Sequence, residues 1–154
     1  MDLLLKLITN PCFISCICAW IVAQSVKMVI HAVTYKKLDV HRLIGDGGMP
    51  SGHTATVTAL ATMCGLTEGF GSGVFAVSAI LTLVVCRDAM GVRRETEKQA
   101  KMLNDLLDTL REENPDRNLP TQRLNTFIGH TPLQIVVGAA IGISVAVILH
   151  WILG

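Results

Sequence analysis

Four long apolar segments dominate this chain of 154 residues and limit the folds that it can adopt. They lie at about 12–34, 53–69, 74–91 and 132–153. Charged residues make up only 16% of the chain, whereas a typical soluble domain has about 25%. A helix needs about 20 apolar residues to cross a bilayer. We therefore predict an all-α membrane bundle of about four transmembrane helices, forming a single domain over 1–154.

The two middle segments are shorter than the outer two, and a glycine-rich turn at 69–73 joins them. We expect these segments either to cross a thin or locally deformed bilayer, or to form a hairpin packed within a larger assembly. The last segment contains two glycines four residues apart, Gly138 and Gly142. This spacing of small residues is typical of a face at which two helices approach closely.

A polar stretch at about 92–130 separates the third and fourth apolar segments. Up to residue 113 the charged residues and the leucines follow helical spacing, which predicts an amphipathic surface helix outside the bilayer. We also predict a short helix at 121–128. If all four segments cross, the loop at 35–52 lies on the same side of the membrane as this stretch.

The distribution of cations predicts which side that is. The opposite side, with both chain ends, carries only Lys6. The side with the polar loops carries Lys36, Lys37, Arg42, Arg87, Arg93, Arg94, Lys98, Lys101, Arg111, Arg117 and Arg123. By the positive-inside rule the polar loops are cytoplasmic and both termini lie outside.

Polar residues interrupt the first apolar segment on one face. Gln24, Lys27 and His31 follow a helical spacing of three and four residues, so they share one side of the helix. A polar stripe on a membrane helix faces protein or water rather than lipid. Lys27 has an alternative role as a snorkelling or packing residue.

Histidines and cations from distant segments meet at the predicted cytoplasmic face. The turn Pro50-Ser51-Gly52-His53 opens the second segment, and His130 precedes the fourth. Helix N-termini bind anions through free N–H groups, and arginine binds phosphate through its planar fork. Two histidines can divide the work of nucleophile and general acid. Such a site needs no metal and no cofactor.

The motifs themselves resemble those of a known superfamily. Met-Pro-Ser-Gly-His followed by a Thr/Ala helix is similar to the central motif of the type 2 phosphatidic acid phosphatases and vanadium haloperoxidases. The stretch GHTPLQIVVGAAIG resembles their last motif. Three blocks, at 47–53, 88–94 and 129–132, together resemble the small divergent branch of that superfamily. The resemblance covers nearly all of the chain.

The resemblance implies a role for each matching residue. His130 would be the nucleophile that forms a phosphohistidine, and His53 would be the general acid for the leaving alcohol. Ser51 and the Gly52 amide would bind phosphate oxygens. The Ser51 position also has a simpler interpretation, because a serine there is a good helix cap.

The cationic positions match the superfamily less fully. Arg93, with Arg94, would stand in the place of its phosphate-binding arginine, and Lys27 in that of its first-motif lysine. No Arg-Pro pair follows Lys27, however, and Leu124 stands where the last motif has arginine. Arg93 and Arg94 can also be explained as anchors at the membrane surface.

One acidic position of the last motif is changed as well. The superfamily has aspartate four residues after the nucleophilic histidine, where this chain has Gln134. Glutamine stabilises an imidazolium less well than a carboxylate does. Asp88 or Glu97 would have to substitute in space. The alternative role of Asp88 is that of an ion-pair partner of Arg87 or Arg93.

These observations lead to one main hypothesis of function and two alternatives. The main one is a phosphatase in a bacterial inner membrane that acts on a lipid or isoprenoid phosphate at the cytoplasmic leaflet. The second is a protein without catalysis that binds a phosphorylated lipid or a partner protein at the same site. A transporter is the weakest, since four short spans leave little room. No nucleic-acid partner is expected, and a homo-oligomer is left open.

Overall fold

The computed structural model describes residues 2–36, 48–114, 119–124, 126 and 131–153. Three residues of the predicted motifs, Gly47, Gly129 and His130, lie outside these ranges. Within them the chain forms helices and no strand, and the prediction of an all-α membrane bundle is confirmed. The helices are α1 (Asp2–Ile8), α2 (Pro11–Tyr35), α3 (Gly52–Glu68), α4 (Gly73–Met90), α5 (Val92–Glu113) and α6 (Pro132–Leu153).

Clear capping signals set the ends of these helices. Asn10 caps α2, with its side-chain oxygen accepting the N–H groups of Cys12 and Phe13 at 2.9 and 3.2 Å, and Pro11 takes the first helical position. Ser72 caps α4 by accepting the Phe75 N–H at 3.1 Å. Because the sequence carries these signals, the helix bounds agree with the predicted apolar segments to within a residue.

Three stretches of the described chain are long and apolar enough to cross a membrane. They are Pro11–Thr34, Pro132–Leu153 and the 41-residue stretch Gly73–Glu113, in which only Gly91 separates α4 from α5. Helix α3 has 17 residues. It is shorter than the roughly 20 residues that a complete span requires.

Helix α3 lies at the centre of the bundle and packs against α2, α4 and α6. Small residues make this arrangement possible. A Cβ on Gly138 would come within 2.6 Å of the Ser51 carbonyl oxygen, and one on Gly142 would overlap the Thr58 hydroxyl and the Ala55 carbonyl oxygen. The predicted close-packing face of α6 is therefore confirmed, and its partner is α3, to which it runs parallel.

The interior of the bundle is built mainly from alanine. Its buried residues are Ala19, Ala23, Ala55, Ala59, Met63 and Ala146. Most threonines of α3 fit this apolar interior because their hydroxyls donate to carbonyls one turn earlier, as Thr58 does to Thr54 at 2.7 Å.

Helix α2 runs antiparallel to α3 and extends well beyond its first residue. The Cys12 and Cys64 sulfurs are 3.6 Å apart near one end of the pair, while Gln24 lies beside Gly52 at the other. Tyr35 ends α2 eleven residues after Gln24, which is about 16 Å of helix. Helix α3 thus begins roughly halfway along α2 rather than at its end.

Helix α4 is also antiparallel to α3. The Thr82 hydroxyl donates to the Val57 carbonyl at 2.9 Å, and the Cys86 thiol lies against the Thr54 side chain. Helices α2 and α4 therefore finish at the same end of the bundle at which α3 and α6 begin. We call this end the polar end.

Residues 119–124, which we call the strap, run along one face of α5. The Asn104 amide donates to the Leu124 carbonyl and accepts the Leu124 N–H, both at 3.0 Å. Arg123 bonds to Asp108 at 2.7 Å. The predicted short helix at 121–128 is wrong for its described residues, 121–124 and 126, which are not helical. The strap instead uses its backbone groups to pair with a side chain of α5.

Candidate functional site

Ser51 is the buried residue from which α3 starts. Its side-chain oxygen accepts the Thr54 N–H at 3.3 Å and the Thr54 hydroxyl at 3.0 Å, and the residue is 0% exposed. Its extended backbone and these bonds make it the N-cap of α3. Both bonds use the oxygen as acceptor, so the hydroxyl proton of Ser51 remains to donate elsewhere.

The start of α3 is joined directly to the first turn of α6. The Ser51 N–H donates to the Gln134 carbonyl at 3.1 Å, and Gly138 lets the Ser51 carbonyl approach the α6 backbone. Since α3 and α6 are parallel, their N-termini point toward the same end of the bundle. Each helix N-terminus carries a partial positive charge, and the two charges reinforce each other there.

Helix α6 begins with a reciprocal cap. The Thr131 N–H donates to the Gln134 side-chain oxygen at 2.9 Å, and the Gln134 N–H donates to the Thr131 hydroxyl at 3.4 Å. This is the capping box of a Thr-x-x-Gln sequence. The Gln134 side-chain oxygen, predicted from the resemblance to take the place of a supporting aspartate, is engaged in this cap.

Helix α2 contributes Lys27 and Gln24 to the same region. Lys27 is only 8% exposed, and its aliphatic stem lies 3.7 Å from the position of a Cβ on Gly48. Gly48 has φ +99°, which favours glycine. Gln24 is also 8% exposed, and it lies beside Gly52 together with the Trp20 ring. The structure thus brings Lys27, the glycine-rich turn and the start of α3 together.

The structure describes one of the two predicted catalytic histidines. His53 is the second residue of α3, and its side chain is exposed at the polar end. His130 lies outside the described residues, directly before Thr131 in the chain.

The predicted arginines and Asp88 occupy the junction between α4 and α5. The Arg93 Nε atom donates to the Asp88 carboxylate at 2.7 Å across Gly91, and Arg94 is exposed. Cys86 contacts Thr54, so Asp88 lies only about 3 Å further along the bundle axis than Cys86. Among the described residues, no hydrogen bond links Arg93 or Arg94 to Ser51.

These positions make the polar end suited to binding an anion. Two parallel helix N-termini meet there, a buried lysine lies beside them, and the Ser51 hydroxyl has a proton to donate. The sequence-based reasoning did not assign Gln24 or Trp20 to this site. The signal was present for Gln24, which shares a helix face with Lys27.

Comparisons with known proteins agree with the motifs. The model of the Divergent PAP2 family matches residues 8–145. The chain is 37% identical over 155 residues to the "Uncharacterized membrane protein YuiD" of Bacillus subtilis (strain 168), a match that covers 96% of this chain and 98% of that protein. No solved structure matches the chain.

Proposed function

Because the chain belongs to the divergent PAP2 family, we propose that this membrane protein is a phosphatase that hydrolyses a lipid or isoprenoid phosphate. The site is the polar end, facing the cytoplasm of a bacterial cell from the inner membrane, with both chain termini outside. The excess of lysine and arginine in the loops at this end supports that orientation.

One observation carries the proposal: the N-termini of α3 and α6 meet beside the buried Lys27. The Ser51 N–H to Gln134 carbonyl bond holds them together, and each of these helices has a motif histidine at or just before its start. A phosphate at this position would accept bonds from N–H groups and the Ser51 hydroxyl, and would gain from both helix dipoles.

The chemistry follows from the histidines. His130 attacks phosphorus, the bond from phosphorus to the leaving oxygen breaks, and His53 gives its proton to that oxygen. Water then attacks the phosphohistidine with His53 accepting a proton, and inorganic phosphate leaves. Ser51, Gly52 and Lys27 hold the phosphate oxygens through both steps. Arg93 and Arg94 add positive charge at the rim, where Asp88 positions Arg93.

The test is phosphate release by the full-length protein in vesicles that contain phosphatidic acid, phosphatidylglycerol phosphate or a prenyl diphosphate. We expect His130→Ala to abolish release and His53→Ala to lower it by about 10²–10⁴-fold. His150→Ala is the matched control, since His150 lies in the last turn of α6, at the opposite end of the bundle. Equal release by wild type and His130→Ala would contradict the proposal.

A second candidate function is binding of the same phosphorylated lipid without turnover. The capping bond of Gln134 favours it, because the oxygen at the position of the superfamily's aspartate is already bonded to the Thr131 N–H. In that case vanadate and phosphate bind, no phosphate is released, and binding persists in His130→Ala but is lost in Arg93→Ala. Covalent attachment of phosphorus to His130 during turnover would exclude this candidate.

A further inference from the structure

The side-chain amide of Gln24 is a buried polar group to which the proposed mechanism gives no task. The residue is 8% exposed. Its Oε1 atom is fully buried and has no hydrogen-bond partner within the described part of the chain. Buried polar side-chain atoms are nearly always paired in folded proteins, so this oxygen needs a donor that the surrounding helices do not supply.

The amide borders the space at the start of α3. Its Nε2 atom lies 3.8 Å from the position that a Cβ on Gly52 would take, next to the Trp20 ring at 3.5 Å. Gly52 is the first residue of α3, where helical N–H groups have no intrahelical acceptor. The Ser51 side chain accepts the N–H of Thr54 at 3.3 Å. The Gln24 amide, whose Oε1 atom is unpaired, and the helix N-terminus thus border the same region.

Packing alone does not account for a glutamine here. Its neighbours on the inner side of α2 are Ala19 and Ala23, both 0% exposed. An apolar residue at position 24 would continue this face without leaving a polar atom unpaired. A polar ligand at the start of α3 would supply the missing partner.

The hydrogen-bonding capacity of the amide narrows the chemistry of that ligand. A phosphate dianion offers only acceptor oxygens, so it cannot satisfy Oε1. A hydroxyl group both donates and accepts, and it matches the carbonyl and NH₂ of a glutamine side chain. A glycerol-type headgroup carries such a hydroxyl near its phosphate, whereas a prenyl phosphate carries none.

We propose that Gln24 binds a hydroxyl group of the substrate close to its phosphate, so that the site prefers lipid phosphates with a hydroxylated headgroup over prenyl phosphates. This inference rests on the proposed function, since it assumes that the phosphate occupies the start of α3. Gln24 is then a specificity-determining residue, and Ser51 and Gly52 hold the part of the ligand that is common to both classes.

The experiment measures equilibrium binding of two soluble probes to the full-length protein in detergent, glycerol 3-phosphate and ethyl phosphate. We expect wild type to bind glycerol 3-phosphate about tenfold more tightly, the effect of one or two hydrogen bonds. Gln24→Met keeps an unbranched side chain without the amide, and it should remove the preference while leaving ethyl phosphate binding within about twofold. The control is Gln99→Met, the same change at an exposed position of α5.

The outcomes separate this inference from the proposed phosphatase. Equal affinities of wild type for the two probes, or a preference that survives Gln24→Met, would show that Gln24 does not bind the hydroxyl group and would overturn the inference. If neither probe binds to wild type, the inference is overturned as well. Selective binding that depends on Gln24, without any phosphate release from vesicles, would support the inference and contradict the phosphatase. If Gln24→Met does not fold, equal affinities of wild type for the two probes still overturn the inference.

Discussion

The seam between α3 and α6 and the contact between α5 and the strap use opposite means of holding two segments together. In the seam, backbones touch because Gly138 and Gly142 have no side chain. Around α5, long polar side chains make the contact, as Asn104 does with Leu124 and Arg123 with Asp108. The seam leaves no room for adjustment, whereas the strap is attached through side chains, of which Arg123 is exposed and Asn104 is buried.

This difference indicates which positions of the molecule tolerate substitution. Apolar attraction between helices is weak in a bilayer, so close backbone packing is a main source of association there. Outside the bilayer, exposed ion pairs contribute only about 0–1 kcal/mol each. We therefore expect the effects of substitution to fall steeply from the seam to the strap.

The largest effect is expected at Gly142. A methyl group there would overlap the Thr58 hydroxyl and the Ala55 carbonyl, and would lie 2.9 Å from the Ala59 nitrogen. Two of these three atoms belong to the backbone, so α3 and α6 must separate. We expect Gly142→Ala to lower the free energy of unfolding by about 1–3 kcal/mol or more, measured as a lower thermal midpoint in detergent.

Gly71→Ala is the matched control for that change. A Cβ on Gly71 would meet nothing within 4 Å, so its thermal midpoint should stay close to that of wild type. If the two alanine variants unfold at the same temperature, the seam is not held by backbone contact and the comparison between the regions fails.

An intermediate effect is expected at Ser51, where the seam meets the candidate site. Ser51→Ala removes an N-cap, which costs about 1 kcal/mol, and also removes a donor to the bound phosphate. Ser72→Ala removes the corresponding cap of α4, which accepts the Phe75 N–H at 3.1 Å. Both variants should lose similar thermal stability, but only Ser51→Ala should weaken vanadate binding. Equal vanadate affinities in the two variants would mean that Ser51 is a cap and nothing more.

The smallest global effect is expected at Asn104. Asn104→Ala removes both hydrogen bonds to Leu124, yet the strap does not take part in the bundle core. Asn104 is 8% exposed, but its two bonds join α5 to the strap alone, so we expect the free energy of global unfolding to fall by less than about 1 kcal/mol. Amide hydrogen exchange at the Leu124 N–H should nevertheless become much faster, because the strap opens locally. A large drop in global stability would show that the strap supports the bundle.

The sequence predicted the helices well because their signals are local. Apolar runs, together with Asn10, Pro11 and Ser72 as boundaries, define α2 and α4 without reference to any other segment. The face of α6 could be recognised from the spacing of Gly138 and Gly142. The partner of that face could not, because glycine spacing says that another helix comes close but not which one.

The parts that could not be predicted depend on contacts between distant segments. The short helix expected at 121–128 does not form in the described residues, where Leu124 pairs with a side chain twenty positions earlier. At the site, Ser51 and Gly52 lie at the start of α3 and Lys27 packs against Gly48, and their role in binding phosphate stays a prediction. The capping box of Gln134 was predictable from Thr131 three residues earlier, because Thr-x-x-Gln is the sequence signature of that cap.

The depth at which α3 begins has a consequence for any ion that binds there. Its first residue lies level with Gln24, and α2 continues for about another 16 Å beyond it. If α2 spans the bilayer, the positive pole of α3 is surrounded by a low-dielectric medium, in which charges attract each other more strongly than in water. An anion loses its hydration shell to reach that depth. Its affinity therefore depends on how completely the groups around the start of α3 replace the lost contacts with water.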